Sequence, residues 1–307
     1  MTCPFREIGY HVEPNAVTIL VDILLPAAVF LSMAVVGLGL RLEDFRRLMS
    51  LRLGVTLGLV APIVLLPLLA VGLSRWLALP PAIAGGLLIL SAAPPAAISN
   101  LYVAMARANV ALCVTLTAVS TVLCVLTMPL VLSMGFRYLS LAGAAVAVPV
   151  LTTMGQLIFM LLIPASLGMA VRSWRPGFAA KHGGWLRLCS LVAILVPLFM
   201  VVGAQWQMFF QMMGAVVLSA LLFTLVAAAV GYGVGILSGP SLLDRFSTAM
   251  NFSTRSFGVA AVVGATFMGR TDFLAFIAVF FLTHAVLAVA AIILLRTCGP
   301  SDPSLLA

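Results

Sequence analysis

The sequence predicts an all-α polytopic membrane protein whose two halves are inverted repeats, and three observations carry that prediction. Of its 307 residues 64% are hydrophobic and 8% are charged, with a mean hydropathy of +1.25. An ordinary soluble domain has about 25% charged residues, and no water-soluble fold hides this much apolar surface. The apolar residues fall in successive runs, and a bilayer core of about 30 Å needs about 20 such residues per spanning helix. Two of the runs are interrupted, one by adjacent prolines and one by a polar stretch carrying a full charge.

Read in order, the runs give spans at about 17–40, 53–73, 82–106, 110–134, 146–171, 188–204, 209–237, 246–268 and 273–295. The chain divides into a polar tail (1–16), a first repeat (17–134), a second, inverted repeat (146–296) and a C-terminal tail (297–307). The tail preceding the first run lacks the basic segment and small-residue cleavage site of a signal peptide, so that run is expected to remain as a helix. Orientation follows from the basic residues, because cytoplasmic joints are enriched in Lys and Arg. With the N-terminus outside, the inner joints hold Arg41, Arg46, Arg47, Arg52, Arg107, Arg172, Arg175, Lys181, Arg187, Arg245 and Arg296. The outer joints hold Arg6, Arg75, Arg137 and Arg270, and Arg255 falls inside a span. An N-out, C-in protein of the plasma (cell inner) membrane is therefore expected. The formal charge of +8 reflects this topology and not a nucleic-acid partner, since the arginines form no basic face. The five cysteines show no metal-ligand spacing, so neither a metal nor another cofactor is expected.

The third span is interrupted at Ser91-Ala92-Ala93-Pro94-Pro95-Ala96-Ala97-Ile98-Ser99-Asn100. Pro94 and Pro95 remove N–H donors and clash with the preceding turn, so the helix breaks there. The eighth span carries Ser247-Thr248-Ala249-Met250-Asn251-Phe252-Ser253-Thr254-Arg255-Ser256-Phe257-Gly258, too polar for a lipid-facing helix. Each break is followed by a short half-helix and a similar turn, Met105 to Val110 and Met268 to Phe273, an odd number of spans apart. Broken helices at corresponding positions of inverted halves point to a binding site near the midplane of a transporter.

A broken helix exposes carbonyls at one end and N–H groups at the other, which can hold ions without ionised side chains. Ser99 and Asn100 add oxygens beside the first break, and Thr117 and Thr121 share a face of the next span at i, i+4 spacing. Hydroxyl oxygens of this kind suit Na⁺ or substrate hydroxyls, or simply bond the carbonyl four residues back. His284, mid-way along the last span, is a candidate proton relay or an interhelical donor. Asp22 reads as a solvated boundary residue, and Glu43 and Asp44 as a joint paired with Arg41, Arg46 and Arg47. The sequence has no GxSxG, GxGxxG, Walker or HExxH motif, so no enzyme is expected.

Gly37-Leu38-Gly39-Leu40-Arg41-Leu42-Glu43-Asp44-Phe45, the segment Ala93 to Asn100 and the run Val110 to Thr121 resemble the bile acid:sodium symporter family, in its nine-helix, N-out form. The resemblance implies a core domain with two crossing broken helices, a panel domain, alternating access, and transport of bile acids or other organic anions with sodium as the coupling ion. It keeps Ser99, Asn100 and Thr117 as sodium-site oxygens, while Cys113 replaces a sodium-ligand serine and Pro62 a glutamine. The family's sodium-ligating glutamate, and the glutamine and asparagine after it, correspond here to Asn251, Arg255 and Ser256.

Arg255 lies ten residues beyond Arg245, or about 15 Å deep. An arginine there must face a cavity, a carbonyl cage or an anion. At about 4 Å and an effective dielectric of 20 it repels a cation by about 4 kcal/mol, about a thousandfold in binding. The expected function is thus secondary transport of carboxylate or sulfonate solutes, sodium-independent, with Pro94, Pro95, Ser99, Asn100, Cys113, Thr117, Thr121, Asn251, Thr254, Arg255, Ser256 and His284 as the candidate site. A transport-inactive receptor and an exporter of the arsenite or auxin type stay open as readings. The expected partners are the anion and the bilayer, with the chain a monomer or homodimer.

Overall fold

Long apolar runs without turn residues become helices, because in lipid every backbone N–H and C=O must be satisfied within the segment. The structure, a computed structural model, describes residues 19–40, 53–139, 149–204, 206–238 and 241–298. A π-helical turn Ile19–Leu24 leads into α1 (Leu25–Gly39), followed by α2 (Leu53–Trp76), α3 (Pro81–Ala92), α4 (Ile98–Met105) and α5 (Val110–Tyr138). Then come α6 (Val150–Leu157), a π-helical turn Ile158–Leu162, α7 (Ile163–Trp174), α8 (Pro176–Ala204) and α9 (Trp206–Ser238). Last are α10 (Leu242–Ser253), α11 (Phe257–Val262) with a π-helical turn Val263–Phe267, and α12 (Leu274–Cys298).

Seven helices among the described residues are long and apolar enough to cross a membrane, and the two interrupted spans appear as α3/α4 and α10/α11. The protein is an all-α polytopic membrane protein. Its outer faces are apolar, with Val286 70% and Leu294 61% exposed, as lipid requires. The sixth span differs from its expected start: α8 begins at Pro176, twelve residues before 188. Proline is tolerated at a helix start because its missing N–H would be unpaired there anyway. Lys181 and Arg187 therefore ride on helix rather than in a joint. The joint at 41–52 with Glu43 and Asp44, the N-terminal tail with Cys3, and the C-terminal tail beyond 298 lie outside the described residues.

Joints that the sequence puts on one side meet in space. Asn109, capping α5, donates to Asp244 in the first turn of α10 at 2.7 Å. Arg172 donates to the Leu38 carbonyl at 2.5 Å, which brings the ends of α7 and α1 together. At the other ends, Arg75 in the last turn of α2 donates to the Tyr138 carbonyl at 2.9 Å and lies over the Tyr138 ring.

Two packed groups of helices result. In one, α1 packs on α7 and α8; in the other, α9 packs on α10, α2 and α12, while α3 and α5 pack on α2. The first group depends on close backbone approach. A Cβ on Gly37 would collide with the Ala165 carbonyl, and one on Gly168 with that of Ala34. Such small-residue contacts drive helix association in lipid, where burying apolar surface gains little.

Candidate functional site at the helix crossing

The two breaks meet as a short antiparallel pair. Ala96 N donates to Thr254 O and Ser256 N to Pro94 O, each at 2.9 Å, on either side of the Pro95/Arg255 pair. Pro94 and Pro95 end α3 and drive Ala93 to an extended conformation (φ −64°, ψ 153°), as a residue before proline prefers. Thr254 and Ser256 are extended too, so the broken segments satisfy each other's backbone where water and helix cannot.

Arg255 is 5% exposed and sits at the C-terminal end of α3. Its Nη2 donates to the carbonyls of Ser91, at 3.3 Å, and Ala93. These are among the acceptors a helix end leaves unpaired, and they carry the negative end of its dipole. The guanidinium thus meets a carbonyl cage, and no carboxylate among the described residues pairs with it.

Next to it lies a buried polar cluster. Ser99 Oγ donates to Ala96 O at 2.8 Å and receives the Cys113 thiol at 3.4 Å. Thr117 Oγ1 donates to Cys113 O at 2.8 Å and accepts from Asn251 Nδ2 at 2.9 Å. Thr121 bonds back to the Thr117 carbonyl at 2.8 Å. The Ser99 and Thr117 hydroxyl oxygens, which suit a cation, each accept from a protein donor, the Cys113 thiol and the Asn251 amide. The Asn100 and Asn251 amide oxygens are buried without a protein partner. His284 is joined to the crossing, its Nε2 3.0 Å from Thr254 Oγ1, with its ring between Phe280 and Tyr102 at centroid distances of 5.6 and 5.9 Å.

A pocket of about 220 Å³ separates the two helix groups. The α1 and α8 side supplies Val29, Met33 and Ile194; the crossing supplies Ala97, Ser256 and Phe257. Thus the starts of α4 and α11 both line it. It reaches the surface at Gly184 and Arg187, both exposed. Of the expected site residues, Ser256 lines this pocket, while Pro94 and Arg255 line a separate small cavity. Sequence reasoning placed Arg187 in a joint and missed it here. The available signal was the polar Lys181 to Arg187 segment after Pro176, a helix start in disguise.

The sequence matches the profile of the Sodium Bile acid symporter family over residues 26–212, more than half of the chain. The match runs from α1 into α9 and stops before α10, so Asn251 and Arg255 lie beyond the matched residues. No curated protein matches the chain. Broken helices that cross, two packed helix groups and a pocket between them accompany that match, and the chain belongs to the sodium bile acid symporter family.

Proposed function

We propose that this protein is a secondary carrier of organic anions that works by alternating access in the plasma membrane and is not coupled to sodium. The observation that carries the reading is the pocket of about 220 Å³ between the helix groups. Its walls at Val29, Met33, Ile194 and Phe257 suit the apolar body of an amphipathic carboxylate or sulfonate. Arg187 at its mouth suits the charged head. The pocket opens at the Arg187 end, which the basic-residue asymmetry assigns to the cytoplasm, with the N-terminus outside.

Sodium independence is supported by Arg255. A cation about 4 Å from it at an effective dielectric of 20 meets about 4 kcal/mol of repulsion, roughly a thousandfold in affinity. Arg255 already neutralises the carbonyl end of α3 that a bound cation would serve. In this reading Arg255 holds the crossing and Arg187 meets the substrate.

Counterflow tests carrier against receptor. Proteoliposomes preloaded with an unlabelled bile acid should transiently accumulate the radiolabelled compound. Saturable binding by the purified protein without counterflow would replace the carrier by a receptor.

A further inference from the structure

A second cavity, of about 20 Å³, shares no lining residue with the large pocket. It is walled by Pro62 of α2, Ala92 and Pro94 at the first break, Ser120 and Cys124 of α5, and Arg255. That volume holds one water-sized particle. Arg255 spends Nη2 on the Ser91 and Ala93 carbonyls, but its Nε and Nη1 are buried and find no acceptor in the protein. The Ser120 hydroxyl, on a residue 6% exposed, is likewise unpartnered.

A guanidinium only donates, so whatever satisfies Nε–H and Nη1–H must accept. The acceptors lining the cavity are neutral, the Ser120 and Thr127 hydroxyl oxygens and the Cys124 sulfur, and none of them bonds Nε or Nη1. No carboxylate lines it. A water would satisfy two N–H groups but leave the positive charge balanced only by the Ser91 and Ala93 carbonyl dipoles, in a low-dielectric region where burying a charge is costly unless it is paired. A small spherical anion accepts from Arg255 and Ser120 together and cancels that charge. Carboxylates and sulfonates of substrate size are too large for the space.

We propose that this cavity is a halide site, taking chloride between Arg255 and Ser120. The site is separate from the large pocket; with the anion bound, sodium independence rests on Arg255 occupying the α3 carbonyls and not on its net charge. By holding Arg255, the ion braces the crossing of the two broken helices.

The test is thermal unfolding of the purified full-length protein in detergent, with chloride titrated against gluconate at constant sodium and ionic strength. A ligand of the folded state alone raises Tm saturably. Chloride and bromide should do so, and gluconate should not. Ser120→Ala should raise the half-saturating chloride concentration about tenfold, the loss of one charge-assisted hydrogen bond. That variant should fold, because the hydroxyl bonds nothing in the protein; Arg255→Gln, where it folds, should lose the response altogether. Equal Tm in chloride and gluconate would leave water as the occupant and overturn the proposal. A chloride response unchanged in Ser120→Ala would place the anion elsewhere and overturn it equally.

Discussion

The guanidinium of Arg255 donates to the carbonyl of Ala93, the last residue before the Pro94-Pro95 break. One broken helix thereby supplies the cation that caps the other. Removing it leaves the Ser91 and Ala93 carbonyls buried without their donor. Arg255→Met should destabilise the protein by about 1–3 kcal/mol for each such carbonyl. Thermal unfolding in detergent reads the effect, and an unchanged Tm would show the cage to be energetically idle.

Arg187 stands at the mouth of the large pocket and is exposed. Its attraction for an anion is therefore screened, and worth less than a buried pair. Arg187→Gln should weaken binding of an anionic bile acid by about threefold to tenfold, about 0.7–1.4 kcal/mol, and flatten its salt dependence. Calorimetric titration at two ionic strengths checks both; equal affinity in variant and parent would remove Arg187 from the site.

Both broken spans were legible in the sequence because their causes are local. Pro94 and Pro95 cannot continue a helix, and lipid does not accept the polar run from Asn251 to Ser256. The meeting of Pro95 with Arg255 is long-range; the sequence showed only that Arg255 needed a partner, which proved to be carbonyls. The large pocket was not legible. On α1, Val29 and Met33 look the same whether they face lipid, protein or a cavity, since all three select apolar residues. The start of α8 was hidden because Lys181, Gly183 and Gly184 read as a joint until their placement on a helix is seen.

The approach of α1 to α7 leaves no room for a Cβ at Gly168, which would meet the Ala34 carbonyl. Backbone cannot move aside as a side-chain end can. Gly168→Val should cost about 1–3 kcal/mol by overpacking and separate the two helices. Thermal unfolding checks this, and a variant as stable as the parent would show that α1 and α7 sit further apart.

Topology is open to a chemical test. Cys3 should face outward and Cys298, at the end of α12, the cytoplasm. Cys113 and Cys124 are buried and should stay unlabelled. A membrane-impermeant thiol reagent on intact cells should therefore modify Cys3 but not Cys298; labelling of Cys298 first would reverse the orientation.

Ion replacement during transport tests most directly whether Arg255 stands where sodium would otherwise act. Initial rates of bile-acid uptake into proteoliposomes should be unchanged when external Na⁺ is replaced by K⁺ or choline at constant chloride. The double variant Asn251→Glu with Arg255→Gln, which removes the buried positive charge and adds a carboxylate beside Thr117, should gain sodium dependence. A steep sodium requirement in the unmodified protein would contradict the account.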